Sequence, residues 1–279
     1  MFLLRMFTSI SEAIWAILCL EIFFFNKTKR PTKTPTPKPQ PQPHTTNVQV
    51  PQPEPKQITL TKLEGSPSFN DAKLSISSIT SEGDKNIFSF DIENYELGAQ
   101  TNNKFELANS GKGQHIHFIV NNGPYSAHYE DTFTKQFKES SNVILAFLSR
   151  SYHESVKNPN SFVLTQVGED KIDLNKELLF YSRPKGTYEG LDTEYLLLDF
   201  YLVNTEISSN GNKVKATIMD TEFIIDEWAP YYIEGLDDGE INIKLELIDS
   251  FGKLIDTPFN PSDRVFTLES VSYTHLTLP

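Results

Sequence analysis

Ile241-Asn-Ile-Lys-Leu-Glu-Leu247 alternates apolar and polar residues without a break. A period of two, carried by β-branched side chains, is the pattern of a strand with one buried face. Val214-Lys-Ala-Thr-Ile218 repeats it, and Ile87-Phe-Ser-Phe-Asp-Ile92 is a third case. Leu196 to Val203 is apolar except for Asp199, as in a strand covered on both faces. Turn signals lie between these runs, at Asn122-Gly123, Asn210-Gly211, Asp238-Gly239 and Ser250-Phe251-Gly252. Helical periodicity is scarce from Ile58 onward. The expected fold is all-β, with two consecutive immunoglobulin-like β-sandwich domains.

A weak internal repeat supports two units. Phe118 to Tyr125 resembles Phe223 to Tyr231, and Ala146-Phe-Leu148 resembles Leu245-Glu-Leu247. The expected boundaries are 58–168 for the first sandwich and 176–270 for the second, each large enough to fold alone. In this alignment Asp220 and Glu222 take the register of His115 and His117. The histidine face is therefore expected to be exposed or groove-lining.

The flanks read differently. Ala13 to Phe25 is apolar except for Glu21, and Lys27, Lys29 and Arg30 follow it. Residues 1–26 are expected to be a signal or anchor segment, although the basic cluster behind it conflicts with the positive-inside rule. Cys19 lacks the small neighbours that lipidation prefers. Residues 27–57 form a Pro-rich linker, with nine of the chain's 17 prolines between Pro31 and Lys56. The last nine residues, Val271 to Pro279, resemble one reading frame of a sequencing adapter and are set aside.

Charge narrows the partners. Residues 1–57 hold seven Lys or Arg against three Glu, so 58–279 carries −16 of a chain total of −12. Such a body repels phosphate backbones, which excludes nucleic acid. Membrane contact is expected through the N-terminal segment only. A single Cys excludes an internal disulfide framework.

Four histidines fall between residues 115 and 153. His115-Ile-His117 places two rings on one face of a strand, opposite the apolar set Ile116, Phe118 and Val120. A hairpin at Asn121 to Pro124 is expected to return His128 towards them, nearer than His153. The four together would suit a divalent metal, copper or zinc. The cupin pattern is incomplete, because Asn121 or Asn122 stands where its Glu belongs. Tyr125, Tyr129, Arg150 and Tyr152 are the candidate ligand-contacting residues. Catalytic signatures are absent: Ser149 has no nucleophile elbow, Gly111-Lys-Gly113 precedes no helix, and no D-x-D-x-D-G calcium loop occurs.

Residues 60–269 resemble a family of exported Bacteroidetes envelope proteins often labelled phosphopeptide-binding. The resemblance is carried by Gly65 to Phe69, Asn94 to Thr101, Asn109 to Phe118, Pro124 to His128, Leu148 to Ser155, Leu179 to Gly186 and Trp228 to Gly235. It implies an exported protein of the bacterial cell envelope; the apolar start and Pro-rich stretch add the expectation of a membrane anchor, and the acidic body that of an envelope protein or a polysaccharide as partner. The residues leave three functions open: a non-catalytic binding or assembly module, a histidine metal site, and a phosphopeptide binder. Ser149-Arg-Ser-Tyr-His153 matches the forkhead-associated pattern only in fragments.

Overall fold

The structure, a computed structural model, describes residues 56–270. The expectations for the signal or anchor segment, for Cys19, for the linker up to residue 55 and for the tail 271–279 lie outside the described residues. Among the described residues no helix is long and apolar enough to cross a membrane.

The described chain is all-β. The strands of the first half are β1 (Thr59–Lys62), β2 (Lys73–Glu82), β3 (Lys85–Glu93), β4 (His115–Val120), β5 (Ser126–His128), β6 (Thr132–Gln136), β7 (Ser141–Ser149) and β8 (Phe162–Gly168). Those of the second half are β9 (Leu178–Arg183), β10 (Gly186–Glu189), β11 (Leu196–Val203), β12 (Lys213–Ile218), β13 (Thr221–Ile225), β14 (Tyr231–Glu234), β15 (Gly239–Ile248) and β16 (Ser262–Glu269). They form four sheets, ordered β2-β3-β6, β5-β4-β7-β8, β1-β14-β11-β9 and β10-β16-β15-β12-β13.

Three apolar cores hold these sheets together. Phe88 and Phe90 of β3 meet Ile116 and Phe118 of β4 and Ile144, Ala146 and Leu148 of β7 inside the first sandwich. Leu196, Leu198, Phe200 and Leu202 of β11 meet Val214, Ala216, Leu245 and Leu247 inside the second. The third core lies between the sandwiches. There Ile119, Val143, Leu145 and Phe147 pack on Leu178, Phe180, Tyr201 and Val203. The two inner sheets are thus covered on both faces. This explains the apolar runs of β7 and of β11, the latter interrupted by Asp199: alternate residues enter different cores.

Two expectations change. β1 pairs antiparallel with β14, Leu60 opposite Ile233. The strand expected to open the first sandwich therefore belongs to a sheet of the second. Of the two repeat matches, Ala146 with Leu245 holds, since β7 and β15 take the same place in their sheets, but Phe118 with Phe223 is out of step by one strand. In the first sandwich β7 pairs with β4 and β8. In the second, β15 pairs with β12 and β16. By topology the counterpart of β4 is β12, not the Phe223 strand β13. His115 and His117 correspond to Lys213 and Lys215, on a sheet whose outer face meets solvent, whereas β4 faces the other sandwich.

Candidate metal centre

β4 aims its side chains as the alternation requires. Ile116 and Phe118 enter the first sandwich core, and His115, His117 and Ile119 take the opposite face. That parity was legible. The expected exposure was not correct, because both rings are fully buried. The second sandwich covers them, with Ser182 of β9 beside His117.

Gly113 sets the entry to β4. Its φ is +84°, and a Cβ there would lie 2.2 Å from the carbonyl oxygen of Gly98. The amide of Gln114 donates to the carbonyl of Ala99 at 2.7 Å, so loop and strand are sewn together here. The carbonyl of Gly113 in turn accepts a hydrogen bond from Nδ1 of His115 at 2.8 Å. This bond fixes the tautomer and leaves Nε2 of His115 as a lone-pair donor. Gly113→Ala is expected to destabilise the fold by about 1–3 kcal/mol from backbone strain alone, measurable by urea denaturation. A wild-type midpoint in that variant would refute the close-approach argument.

Two nitrogens converge on that lone pair. Nε2 of His117 is 2.9 Å from Nε2 of His115, and Nδ1 of His153 is 3.1 Å from the same atom. The ligand atoms of His115, His117 and His153 all lie within 4.8 Å of one another. His153 reaches in from a tight turn after β7, where its amide donates to the carbonyl of Arg150 at 2.9 Å. Its φ of +70° is a left-handed backbone for a residue other than glycine. Such strain persists where surrounding structure imposes it.

His153, not His128, completes the cluster. His128 pairs opposite Ile116 in the β4–β5 register. Paired residues share a face, so His128 is turned away from His115 and His117. Its ring stacks on Phe133 at 3.4 Å, and its Nε2 meets Oγ of Ser126 at 2.9 Å.

The cover consists of Tyr125 and second-sandwich residues. The Tyr125 ring stacks on His117 with centroids 3.5 Å apart, and its hydroxyl is 3.2 Å from Nδ1 of His153. Oγ of Ser182 lies 3.3 Å from Nδ1 of His117. The ammonium of Lys185 sits 3.9 Å above the Tyr125 ring and donates to the Tyr125 carbonyl at 2.9 Å. The guanidinium of Arg183 is 5.5 Å from the same ring. Asn122 pins the joint: its Oδ1 accepts from the amide of Tyr181 at 2.9 Å.

Burial keeps these rings neutral. Desolvation pushes His115 down to about 4, against the partial support of its Gly113 bond. His117 is lowered further, by burial first and then by His115, His153, Arg183 and Lys185. His153 is lowered by burial and by Arg183. Neutral imidazole is the metal-binding form.

The chain matches no family model and no curated protein. Among solved structures it is similar to fibronectin(III)-like modules of CbhA from Clostridium thermocellum. That match has 13% identity, covers 74% of this chain and 99% of the other, and has a TM-score of 0.28. The central fibronectin-III array of RIM-binding protein is similar at 10% identity, over 75% of this chain and 70% of the other, with a TM-score of 0.24. The two tandem V-type regions of a v-region-containing chitin-binding protein are similar at 7% identity, over 76% and 99%, with a TM-score of 0.22. Such scores carry no argument about function, and the immunoglobulin-like reading stands on the sheet order.

The four candidate ligand-contacting residues do not form one surface. Tyr125 covers the histidines. Tyr129 lies beside the His115 ring, centroids 5.1 Å apart, and its hydroxyl bonds Ser110 at 2.8 Å. Arg150 is buried, paired with Glu154 at 3.0 Å and donating to the carbonyls of Ser155 and Pro67. Tyr152 is buried against Phe105 in a small separate cluster. Ser182, Arg183 and Lys185 were missed in the sequence, since nothing local in Leu179 to Gly186 marks it as the lid of a site sixty residues earlier.

Proposed function

We propose that this chain is a non-catalytic binding module of the cell envelope whose two sandwiches close over a three-histidine metal centre. The observation that carries this reading is the convergence of two imidazole nitrogens on Nε2 of His115, at 2.9 and 3.1 Å. Ligands held about 2.0 Å from one ion in a tetrahedral site stand roughly 3.3 Å apart. Small ring movements would bring all three onto a common ion. The outer bonds support the same reading. A metal-bound His habitually donates its other ring N–H to a carbonyl or similar acceptor, as His115 does to Gly113. The near-complete burial suits a structural ion that stiffens the joint, because little room remains for a substrate.

The apolar segment and Pro-rich stretch before residue 58 support an anchored position at a bacterial membrane. An envelope protein or a polysaccharide fits the −16 body better than a phosphorylated peptide does. Arg150, the cation that a phosphate would need, already spends its donors on Glu154, Ser155 and Pro67.

The test is thermal. At a free ion concentration a hundred times Kd, binding stabilises by about 2.7 kcal/mol. For a body of this size that is a rise in Tm of roughly 5–10 °C. Copper or zinc at pH 7.5 is expected to produce it in wild type and to lose it in His117→Ala. An unchanged Tm with Cu(I), Cu(II) and Zn(II) would refute the centre.

A further inference from the structure

The ligand set is neutral, and the charges nearest to it are positive. Lys185 lies over Tyr125, whose other face stacks on His117. Arg183 is buried within reach of the same ring, and its guanidinium donates to the hydroxyl of Tyr188 at 2.7 Å. The buried carboxylates of this region are already engaged. Asp199 holds Lys157 and Ser155, and Glu154 holds Arg150 and Ser66. Asp199, opposite Arg183 in the β9–β11 register, offsets part of its charge but is shared with Lys157, so an ion among the three rings still meets a net positive surrounding, with Lys185 as the cation that no carboxylate pairs among the described residues.

Coulomb repulsion is linear in the charge of the ion. Whatever factor Lys185 and Arg183 take from the affinity of a monovalent ion, they take its square from a divalent one. Three imidazoles serve copper and zinc alike, so the charge around them decides between the ions. From this we infer that the centre is selective for monovalent copper over divalent zinc, and that Lys185 and Arg183 set the preference. The inference rests on the three-histidine reading and departs from the divalent expectation drawn from the sequence.

A charge series at position 185 tests it on the full chain. Ag(I) serves as a redox-inert probe beside Cu(I) supplied with ascorbate in the absence of oxygen, and Zn(II) is the divalent probe. Lys185→Gln keeps a donor for the Tyr125 carbonyl, and Lys185→Glu reverses the charge. Lys185→Arg keeps the charge and is expected to leave all three affinities within about twofold. Removing the charge is expected to raise Ag(I) and Cu(I) affinity by roughly fivefold and Zn(II) affinity by roughly twenty-five-fold. Reversing it repeats those factors, so the Zn(II) slope against charge is twice that of Ag(I). Melting temperatures identify any variant that loses its fold, and the remaining variants still define the slopes. Tighter wild-type binding of Zn(II) than of Ag(I), or equal factors for the two ions, would overturn the inference while leaving the centre intact. Binding of neither ion would overturn the centre itself.

Discussion

A fragment of residues 176–270 is expected to show no cooperative unfolding transition, while residues 56–270 unfold in a single one. The sequence alone argues otherwise, because that segment has its own alternating strands and turns. Two features of the structure reverse this. First, the fragment lacks β1, which pairs along the β14 edge from Thr59 to Lys62. Second, it exposes one side of the core between the sandwiches: Leu178, Phe180, Tyr201 and Val203 would all face water. Burying a large apolar side chain stabilises by about 1.5–3 kcal/mol. Four of them amount to roughly 6–12 kcal/mol, the same order as the whole stability of a domain. Asp199 would also lose Lys157 and Ser155, its partners from the first sandwich. Differential scanning calorimetry decides the matter. A sharp calorimetric peak from 176–270 would mean that the sandwiches are independent and the shared core is incidental.

The strands were legible because alternation is a local signal. β12, β15 and β3 could be read from a few residues each, and β11, apolar but for Asp199, announced two covered faces. What covers a face is not local. The parity of His115 and His117 was readable from Ile116 and Phe118, but their burial depends on β9, which arrives sixty residues later. The repeat misled for a related reason. Similar strings at Phe118 and Phe223 aligned a central strand with the edge strand β13, which among the described residues pairs only with β12. Edge and central strands share the same period and differ only in their partners. His128 was misplaced by one step of register, since the turn at Asn121 to Pro124 brings it opposite Ile116 and not His117. A shift of one residue transfers a strand side chain to the other face.

The metal-free protein is expected to be acid-labile well above the usual carboxylate range. His115 is held down to about 4, chiefly by desolvation. His117 and His153 are lowered further by burial and by the cations Arg183 and Lys185. In the unfolded chain all three return to about 6.5. The unfolded state therefore binds more protons than the native state in the window below that value. Stability is complete above about pH 6.5 and is lost as pH falls towards the folded-state values. Each buried ring contributes a slope of about 1.4 kcal/mol per pH unit, so three give about 4. Between pH 7.5 and 5 the loss is roughly 6 kcal/mol, comparable to the net stability of many domains. Chelator-treated protein is expected to unfold near pH 5, and a bound ion should move the midpoint lower by competing with protons for the same nitrogens. The measurement is urea unfolding at half-unit pH steps from 7.5 to 5. A flat stability across that range would mean that the rings are solvated, and the closed joint above them would have to be abandoned.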